Sequence, residues 1–477
     1  MNRLFDAARA SLLGRQRRRP LGGYRYVRLR WRVLFAAIDA VGWSVAWLLS
    51  KIRPAGASRA SARRDPRSIL MVQLDHLGDA VITTALLQLI RARYPRAAID
   101  VLASRRNSEL FNACGEVDCV HVSKMNRWDC RVPGLWIATT IGWGLRLRRR
   151  RYDMAIDVRG EFPHAVILWL CGARRRLGFN SGGGGFLLTD SAAYVANRAE
   201  IESRLALARL LDIEPVGGSP APSFEPDTES RRRVGQILAN ELNLADDRRP
   251  LYVWHVGAGT RAKTWPPEHW RELLGRTIVE HDARIVLVGS AQDTVAVRRI
   301  TEGLPWPGVL DCTGRLTLAE TAALIERADL FVGGDSGPAH LAAAVGAPTI
   351  VLFSGTNRAR QWKPTGPHVR VLRHEVACSP CHRARCPWTD HPCMRRIAPE
   401  AVLAEIERAM ERTARRRLAQ NLDGDHCCRN NKPATLGATS GLSSIAAISA
   451  ENTARIVTRR VSEGRPAMFL ADASGSE

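Results

Sequence analysis

Two successive α/β domains, each built on a parallel sheet and facing the other across a cleft, are what this 477-residue sequence predicts. Three observations carry that prediction. Short apolar runs of strand length alternate with helix-length segments, the order of βαβ units. The alternation stops at a stretch dense in Pro and Gly, Glu214–Asp227 (EPVGGSPAPSFEPD), and then starts again. The composition, 45% hydrophobic and 25% charged, is globular and excludes full disorder or collagen-like repeats. The one long apolar run, Val33–Leu49, is 17 residues interrupted by Asp39, which excludes a polytopic membrane protein.

Taken in order, residues 1–65 read as a basic arm with a possible membrane-interface helix. They hold 15 Lys/Arg against 3 Asp/Glu, half of the whole chain's +23. Trp31, Trp43 and Trp47 with flanking arginines suit a helix lying among lipid headgroups; a helix packed on the protein's own surface is the alternative. Residues 66–213 form the first α/β domain. Its strands are expected at Ser68–Leu74, Ile99–Ala103, Cys119–Val122 and Met154–Val158, with a helix over Ala80–Arg93. Residues 214–227 are the linker. Residues 228–412 form the second domain, with strands at Tyr252–His255, Ile285–Gly289, Val309–Cys312, Leu330–Gly333 and Thr349–Phe353. Residues 413–477, clustered in Asn, Ser, Gly and Thr without periodicity, read as a disordered tail. Eleven cysteines, an odd count in a long chain, favour a reducing compartment over a disulfide scaffold.

Four motifs can carry chemistry. Leu74-Asp75-His76-Leu77-Gly78-Asp79 follows the first strand. Asp79 there either caps the next helix or serves as a general base at the edge of a cleft. His255-Val256-Gly257-Ala258-Gly259 with Lys263 and Trp265 offers a glycine-bearing loop and a point charge for phosphate. It matches neither common phosphate-loop pattern, and Trp265 reads as core packing. Gly333-Gly334-Asp335-Ser336-Gly337-Pro338-Ala339-His340 opens a helix whose exposed N–H groups and dipole suit an anion, although an ordinary strand-to-helix turn explains Gly, Ser and Pro. Cys378, Cys381, Cys386 and Cys393 can form a structural zinc cluster, or remain packed thiols or oxidise to disulfides.

Together, and in this order, these motifs resemble the ADP-heptose glycosyltransferases of lipopolysaccharide core synthesis, glycosyltransferase family 9. The matching text is ILMVQLDHLGDAVITTALLQLIRARYP, VGAGTRAKTWPPEHW, ADLFVGGDSGPAHLAAAVGAPTIVLF and CSPCHRARCP, spanning roughly residues 68–410. The resemblance implies the GT-B fold, two Rossmann-like domains with the acceptor on the first and the donor on the second. It implies an inverting transfer from an ADP-sugar that requires no metal cofactor. Asp79 then matches the general base, Lys263 the lysine that contacts the donor phosphates, and Asp335, Ser336 and Gly337 the segment that holds donor sugar and diphosphate, with Gly257 and His340 beside them. His76, Arg127 and Arg131 are acceptor-side candidates in the first domain's loops, as are Arg174, Arg175 and Arg176 within the expected loop 174–185.

The implied partners are a nucleotide-sugar donor, a glycolipid acceptor and an anionic membrane surface met by the basic arm, at the inner face of the cytoplasmic membrane. This chain departs from the family at Gln73 and His76, and in reading Ser290-Ala291-Gln292-Asp293 where an acidic residue often follows the strand. A family member that binds nucleotide-sugar without transferring it is therefore the alternative. Nucleic-acid binding is not expected. Residues 66–412 carry only +8, and aromatics are not interleaved with the basic runs.

Overall fold

The computed structural model describes residues 24, 29–52, 65–124, 133–214, 220–242, 249–303 and 308–413. Most of the expected tail, much of the basic arm, residues 215–219 of the linker, and Arg127 and Arg131 lie outside them. Residues 1–413 make one compact unit.

A long helix, α1 (Leu29–Ile52), precedes the first sheet. Then follow β1 (Ser68–Gln73), α2 (Leu77–Arg93), β2 (Ala98–Ser104), β3 (Cys119–Ser123), α3 (Pro133–Arg148), β4 (Met154–Asp157), α4 (Phe162–Leu170), β5 (Arg175–Phe179), β6 (Asp190–Ala192) and α5 (Glu200–Arg209). The second half runs α6 (Thr228–Leu242), β7 (Leu251–His255), α7 (Pro267–His281), β8 (Arg284–Leu287), α8 (Thr294–Thr301), β9 (Val309–Asp311), α9 (Leu318–Arg327), β10 (Leu330–Gly334), α10 (Gly337–Ala344), β11 (Thr349–Leu352) and β12 (Val369–Leu372). All the expected strands form, within two residues of the predicted ends.

Every strand pairing is parallel, and the two six-stranded sheets share one topology. The first is ordered β3-β2-β1-β4-β5-β6, and the second, β12-β11-β10-β7-β8-β9, is the same order read from the other edge. Each therefore reverses winding at one place, between β1 and β4 and between β7 and β10. The carboxyl ends of strands beside such a reversal leave a crevice where ligands bind. The registers Val72↔Asp157 and Gly333↔His255 put the loops after these strand pairs side by side.

Apolar side chains on both faces of the strands explain why the sequence shows solid runs rather than alternation. In the first sheet, Ile69 and Met71 face α2 and α5, while Leu70 and Val72 face α3 and α4. All four are fully buried, each contributing about 1.5–3 kcal/mol. In the second sheet, Trp254 packs with Trp265 and Trp270 on one face, and Val253 and Phe331 pack with α6, α9 and α10 on the other. Trp265 is thus core, as expected, its indole N–H donating to the Ile397 carbonyl at 2.9 Å.

One reading is corrected. The 174–185 segment is not a loop: Arg175–Phe179 is β5, followed by two short 3-10 turns. Its strand character was hidden because three arginines precede a short apolar stretch. The described end of the linker is packed against both halves. The Ser223 N–H donates to Thr84 Oγ1 of the first half at 3.2 Å, the Phe224 N–H to the Ala344 carbonyl of the second at 3.2 Å, and the Phe224 ring is buried.

Candidate active site

At the reversal in the first sheet, the turn after β1 brings Asp75, His76 and Asp79 together, and the turn after β4 brings Arg159 to them. Helix α2 starts at Leu77 rather than Ala80, with His76 as its N-cap residue. Asp79 therefore lies within the first turn and makes no cap; the capping reading is replaced by an ion pair. Arg159 Nη1 donates to Asp79 Oδ1 at 2.8 Å, and Arg159 Nε lies 3.3 Å from Asp75 Oδ2 and 3.7 Å from Glu161 Oε1. Arg204 of α5 approaches Asp79 to 3.7 Å while pairing with Glu200.

Buried Asp157 shapes the turn that presents Arg159. Its carboxylate accepts the backbone N–H groups of Arg159, Gly160 and Glu161 at 2.9, 3.0 and 3.2 Å. Gly160 has φ +77°, which an L side chain rarely adopts. His164 Nδ1 closes the shell 2.9 Å from Asp157 Oδ1. Burial alone would push the His164 pKa down, but the facing carboxylates of Asp157, Glu161 and Asp75 win and hold it up at about 9.

Asp79 experiences the opposite contest. Burial pushes its pKa up, Arg159 and Arg204 pull it back, and the charges of Asp75 and Glu200 raise it again, to about 6. Such a carboxylate is mostly ionised at neutral pH yet more basic than an exposed aspartate, which suits a general base.

At the reversal in the second sheet, β7 leads into the His255–Lys263 loop and β10 into α10. Lys263 Nζ lies 2.7 Å from Asp335 Oδ2. With its amide oxygen turned toward Lys263, Asn357 accepts from Nζ at 3.1 Å. Ser336 is the N-cap residue of α10 without making a side-chain cap; its hydroxyl lies 3.2 Å from His255 Nδ1 and donates to the Gly334 carbonyl at 3.2 Å. Burial lowers the His255 pKa against the pull of Asp293, favouring a neutral ring. His340, one turn into α10, is lowered to about 4, by burial first and Lys263 next, with Asp335 opposing. Gly257 cannot carry a Cβ, because the Asp293 carboxylate packs against its Cα. The loop at 290–293 thus does place an acid beside the glycine-bearing loop.

The two half-sites meet. Helices α2 and α10 cross near their N-termini, where a Cβ on Gly78 would lie 2.9 Å from His340 Cδ2 and one on Gly337 would lie 2.8 Å from Leu77 Cβ. A short helix, Ala359–Trp362, reaches back to the first half. The Gln361 amide nitrogen donates to Tyr194 Oη and Glu200 Oε1, both at 2.8 Å, and the Trp362 ring lies 5.8 Å from the Arg159 guanidinium carbon. Asp79 is only 7% exposed at this junction, and His76 is the exposed member of its group.

Most of the residues predicted from motifs are thus gathered: Asp79 and His76 on one side, Gly257, Lys263, Asp335, Ser336, Gly337 and His340 on the other. Arg127 and Arg131 lie outside the described residues. Arg175 instead pairs with Asp190 at 3.2 Å, and Arg176 bonds the carbonyls of Ala173 and Leu187 at 2.8 and 2.6 Å. Motif reading missed Arg159, Glu161, Arg204, Glu200, Gln361 and Trp362. The RGEF text directly after the Met154–Val158 strand was the available signal for the first two.

The four cysteines are free thiols lining one cavity of about 180 Å³ against Ala262, Gly355 and Thr356. Their loop is tied to the 257–263 loop and to the loop after β11. The Ala262 N–H donates to the Ala384 carbonyl at 3.1 Å, and the Cys381 N–H to the Gly355 carbonyl at 3.0 Å. Among the described residues, two groups bring three metal-competent atoms within 4.8 Å of one another: Asp75–His76–Asp79 and Asp100–Cys119–His121. The cysteines do not form such a group.

Two doubly wound parallel domains that meet over a tuned carboxylate on one side and a lysine-bearing, helix-headed cradle on the other define a glycosyltransferase of the GT-B type. The profile of glycosyltransferase family 9 (heptosyltransferase) matches residues 143–391, and the chain belongs to that family. It is 26% identical over 347 residues to lipopolysaccharide heptosyltransferase 2 of Escherichia coli K12, covering 71% of this chain and 97% of that one. Among solved structures, E. coli ADP-heptose LPS heptosyltransferase II superposes with TM-score 0.59 at 25% identity, covering 72% of this chain and 99% of the other. A family 9 glycosyltransferase from Veillonella parvula gives TM-score 0.61 at 19% identity, covering 72% and 97%.

Proposed function

We propose that this enzyme is an inverting, metal-independent transferase that moves a heptose, or a related sugar, from an ADP-sugar to a lipopolysaccharide-core or other glycolipid acceptor. The reaction would take place at the inner face of the cytoplasmic membrane. The donor and acceptor classes come from the names of the E. coli relatives. The observation that carries the mechanism is the Asp79 carboxylate, held by Arg159 at the junction with the Lys263–Asp335–Ser336 cradle.

In this reading Asp79 takes the proton from the acceptor hydroxyl as that oxygen attacks the anomeric carbon. The diphosphate departs on the opposite side, where Lys263 and the N–H groups opening α10 meet its growing charge. His255 and His340, kept neutral by burial, add no charge of their own. The positive charge offered to the diphosphate is thus a side chain and a helix end, which supports metal independence.

Asp79→Ala should lower kcat by about 10²–10⁴-fold, the usual worth of a general base, and leave ADP binding by calorimetry nearly unchanged. Transfer at the parental rate would remove Asp79 from the mechanism. A chelator arm in the same assay should leave the rate unaltered. Donor binding with no turnover on any lipopolysaccharide-core acceptor would make the protein a nucleotide-sugar binder instead.

A further inference from the structure

Helix α1 is attached to the first half by one face only. Phe35 is buried against Phe162, ring centroids 5.4 Å apart, and Gly42 passes over Phe186. Asp39 is turned inward, its two carboxylate oxygens accepting from the Gly184 N–H and the Tyr24 hydroxyl, both at 2.7 Å. Phe35, Asp39, Gly42 and Trp43 recur every three or four residues, so they share a face. The opposite face carries Val33, Val41, Val45 and Leu48, all exposed.

A second helix repeats the pattern. Along α3, Leu135, Ile141 and Leu145 are exposed, and α4, on which α3 packs, exposes Trp169. Helices α3 and α4 cover the sheet face that carries Leu70 and Val72, and α1 packs on the start of α4 and the Gly185–Leu187 turn. Of the 17 large apolar side chains exposed among the described residues, 12 are on these three helices. An apolar concentration of that kind marks a binding surface rather than ordinary scatter.

Charge selects the partner. Helix α3 contains no Asp or Glu, and α1 contains only the inward-turned Asp39. The rim is basic: Arg30 and Arg32 open α1, Arg146 and Arg148 close α3, and Arg149–Arg151 follow. An apolar stripe edged by arginines and free of outward carboxylates fits an anionic bilayer surface. Helix α1 is long and apolar enough to cross a membrane by composition. Its packed face, with a buried hydrogen-bonded carboxylate, instead holds it along the domain.

We propose that the outer faces of α1 and α3, with Trp169, form one surface that seats the protein on an anionic lipid bilayer without spanning it. The surface adjoins the acceptor side of the site, because the Gly183–Gly185 turn under α1 continues into Gly182, which packs against the Gly160 carbonyl beside Arg159. Bilayer binding itself does not depend on the transferase reading.

The test is co-sedimentation of the full chain with phosphatidylcholine vesicles, with and without phosphatidylglycerol. The parent should bind the anionic vesicles at least tenfold more tightly than the neutral ones. Val41→Glu/Val45→Glu and Ile141→Glu/Leu145→Glu should each weaken binding at least tenfold, while Val279→Glu, at an exposed apolar site in the other half, should not. Retained ADP binding serves as the folding control. Brominated-lipid quenching of the parent's tryptophan emission, reduced in Trp169→Phe, reads the same surface without a charged variant. Absence of parental binding overturns the proposal, as does an α3 variant that binds like the parent. So does a parental dimer, seen by sedimentation, that the α1 or α3 variant dissociates. Vesicle binding without sugar transfer leaves it standing, and transfer to a soluble acceptor without vesicle binding defeats it alone.

Discussion

Asp79 and Arg159 are bound together at the scale of single residues, because each holds the other's charge. Burial would keep the carboxylate protonated, and the guanidinium 2.8 Å away brings its pKa back to about 6. The acid limb of the kcat profile should therefore fall near pH 6. Arg159→Met removes the stabilising cation and leaves Asp75 nearby, so the limb should move upward by about one pH unit or more, tenfold in proton affinity. A pH–rate profile checks this, and an unmoved limb would assign the titration to another group.

His164 makes a prediction about stability rather than rate. Its folded pKa of about 9 stands above the ordinary 6.5. The folded state thus binds its proton more tightly, and the resulting stability is fully present below pH 6.5 and lost as pH rises through 9. The size is of order 3 kcal/mol. Denaturant melts between pH 6 and 10 should show the decline in the parent and a flatter dependence in His164→Gln.

At the scale of elements, the junction depends on two helices approaching closely at glycines. Gly78 keeps an ordinary negative φ, so its role is space: a side chain there meets the His340 ring, which is buried and cannot swing aside. Gly78→Val should push α2 from α10 and lower kcat by about tenfold or more, the equivalent of about 1.4 kcal/mol and within the 1–3 kcal/mol that overpacking costs. The Lys263–Asp335 pair lies within the second half, so ADP affinity should change by about twofold at most. Calorimetry and turnover on one preparation separate the two effects. The 257–263 loop shows the same economy of space, since Gly257 and Gly289 make room for the Asp293 carboxylate.

For the whole molecule, identical sheet topologies put a winding reversal in each half, and the site is the place where the two reversals meet. The halves are joined there by polar contacts: Gln361 to Tyr194 and Glu200, and Trp362 over Arg159. These contacts belong to the arrangement that brings the Asp79–Arg159 pair and the Lys263–Asp335 pair to one junction. Gln361→Leu leaves Glu200 and Tyr194 without that partner and should lower kcat by about tenfold, the effect of roughly 1.4 kcal/mol. Donor affinity should stay close to the parent's. Equal losses in kcat and ADP affinity would place Gln361 in donor binding instead.

The sequence alone determined what depends on local pattern. Buried parallel strands read as solid apolar runs, so Ser68–Gln73 and Leu330–Gly334 were visible within a residue or two. The glycine-bearing turns after these two strands and after Leu251–His255 marked Asp79, Asp335 and Lys263 as candidates, because turns and helix starts gather such residue types close together in the chain. Tertiary structure decided everything set by distance through space. Arg159 follows Asp79 by 80 positions and reaches it because β4 lies beside β1; Gln361 reaches Glu200 across 161. Strand β5 was hidden because its arginines are paired within the fold rather than placed in solvent. Whether Asp79 capped a helix or faced a cation was likewise open until packing supplied the cation, since a carboxylate's role is set by the charges and water around it, and the linear text carries neither.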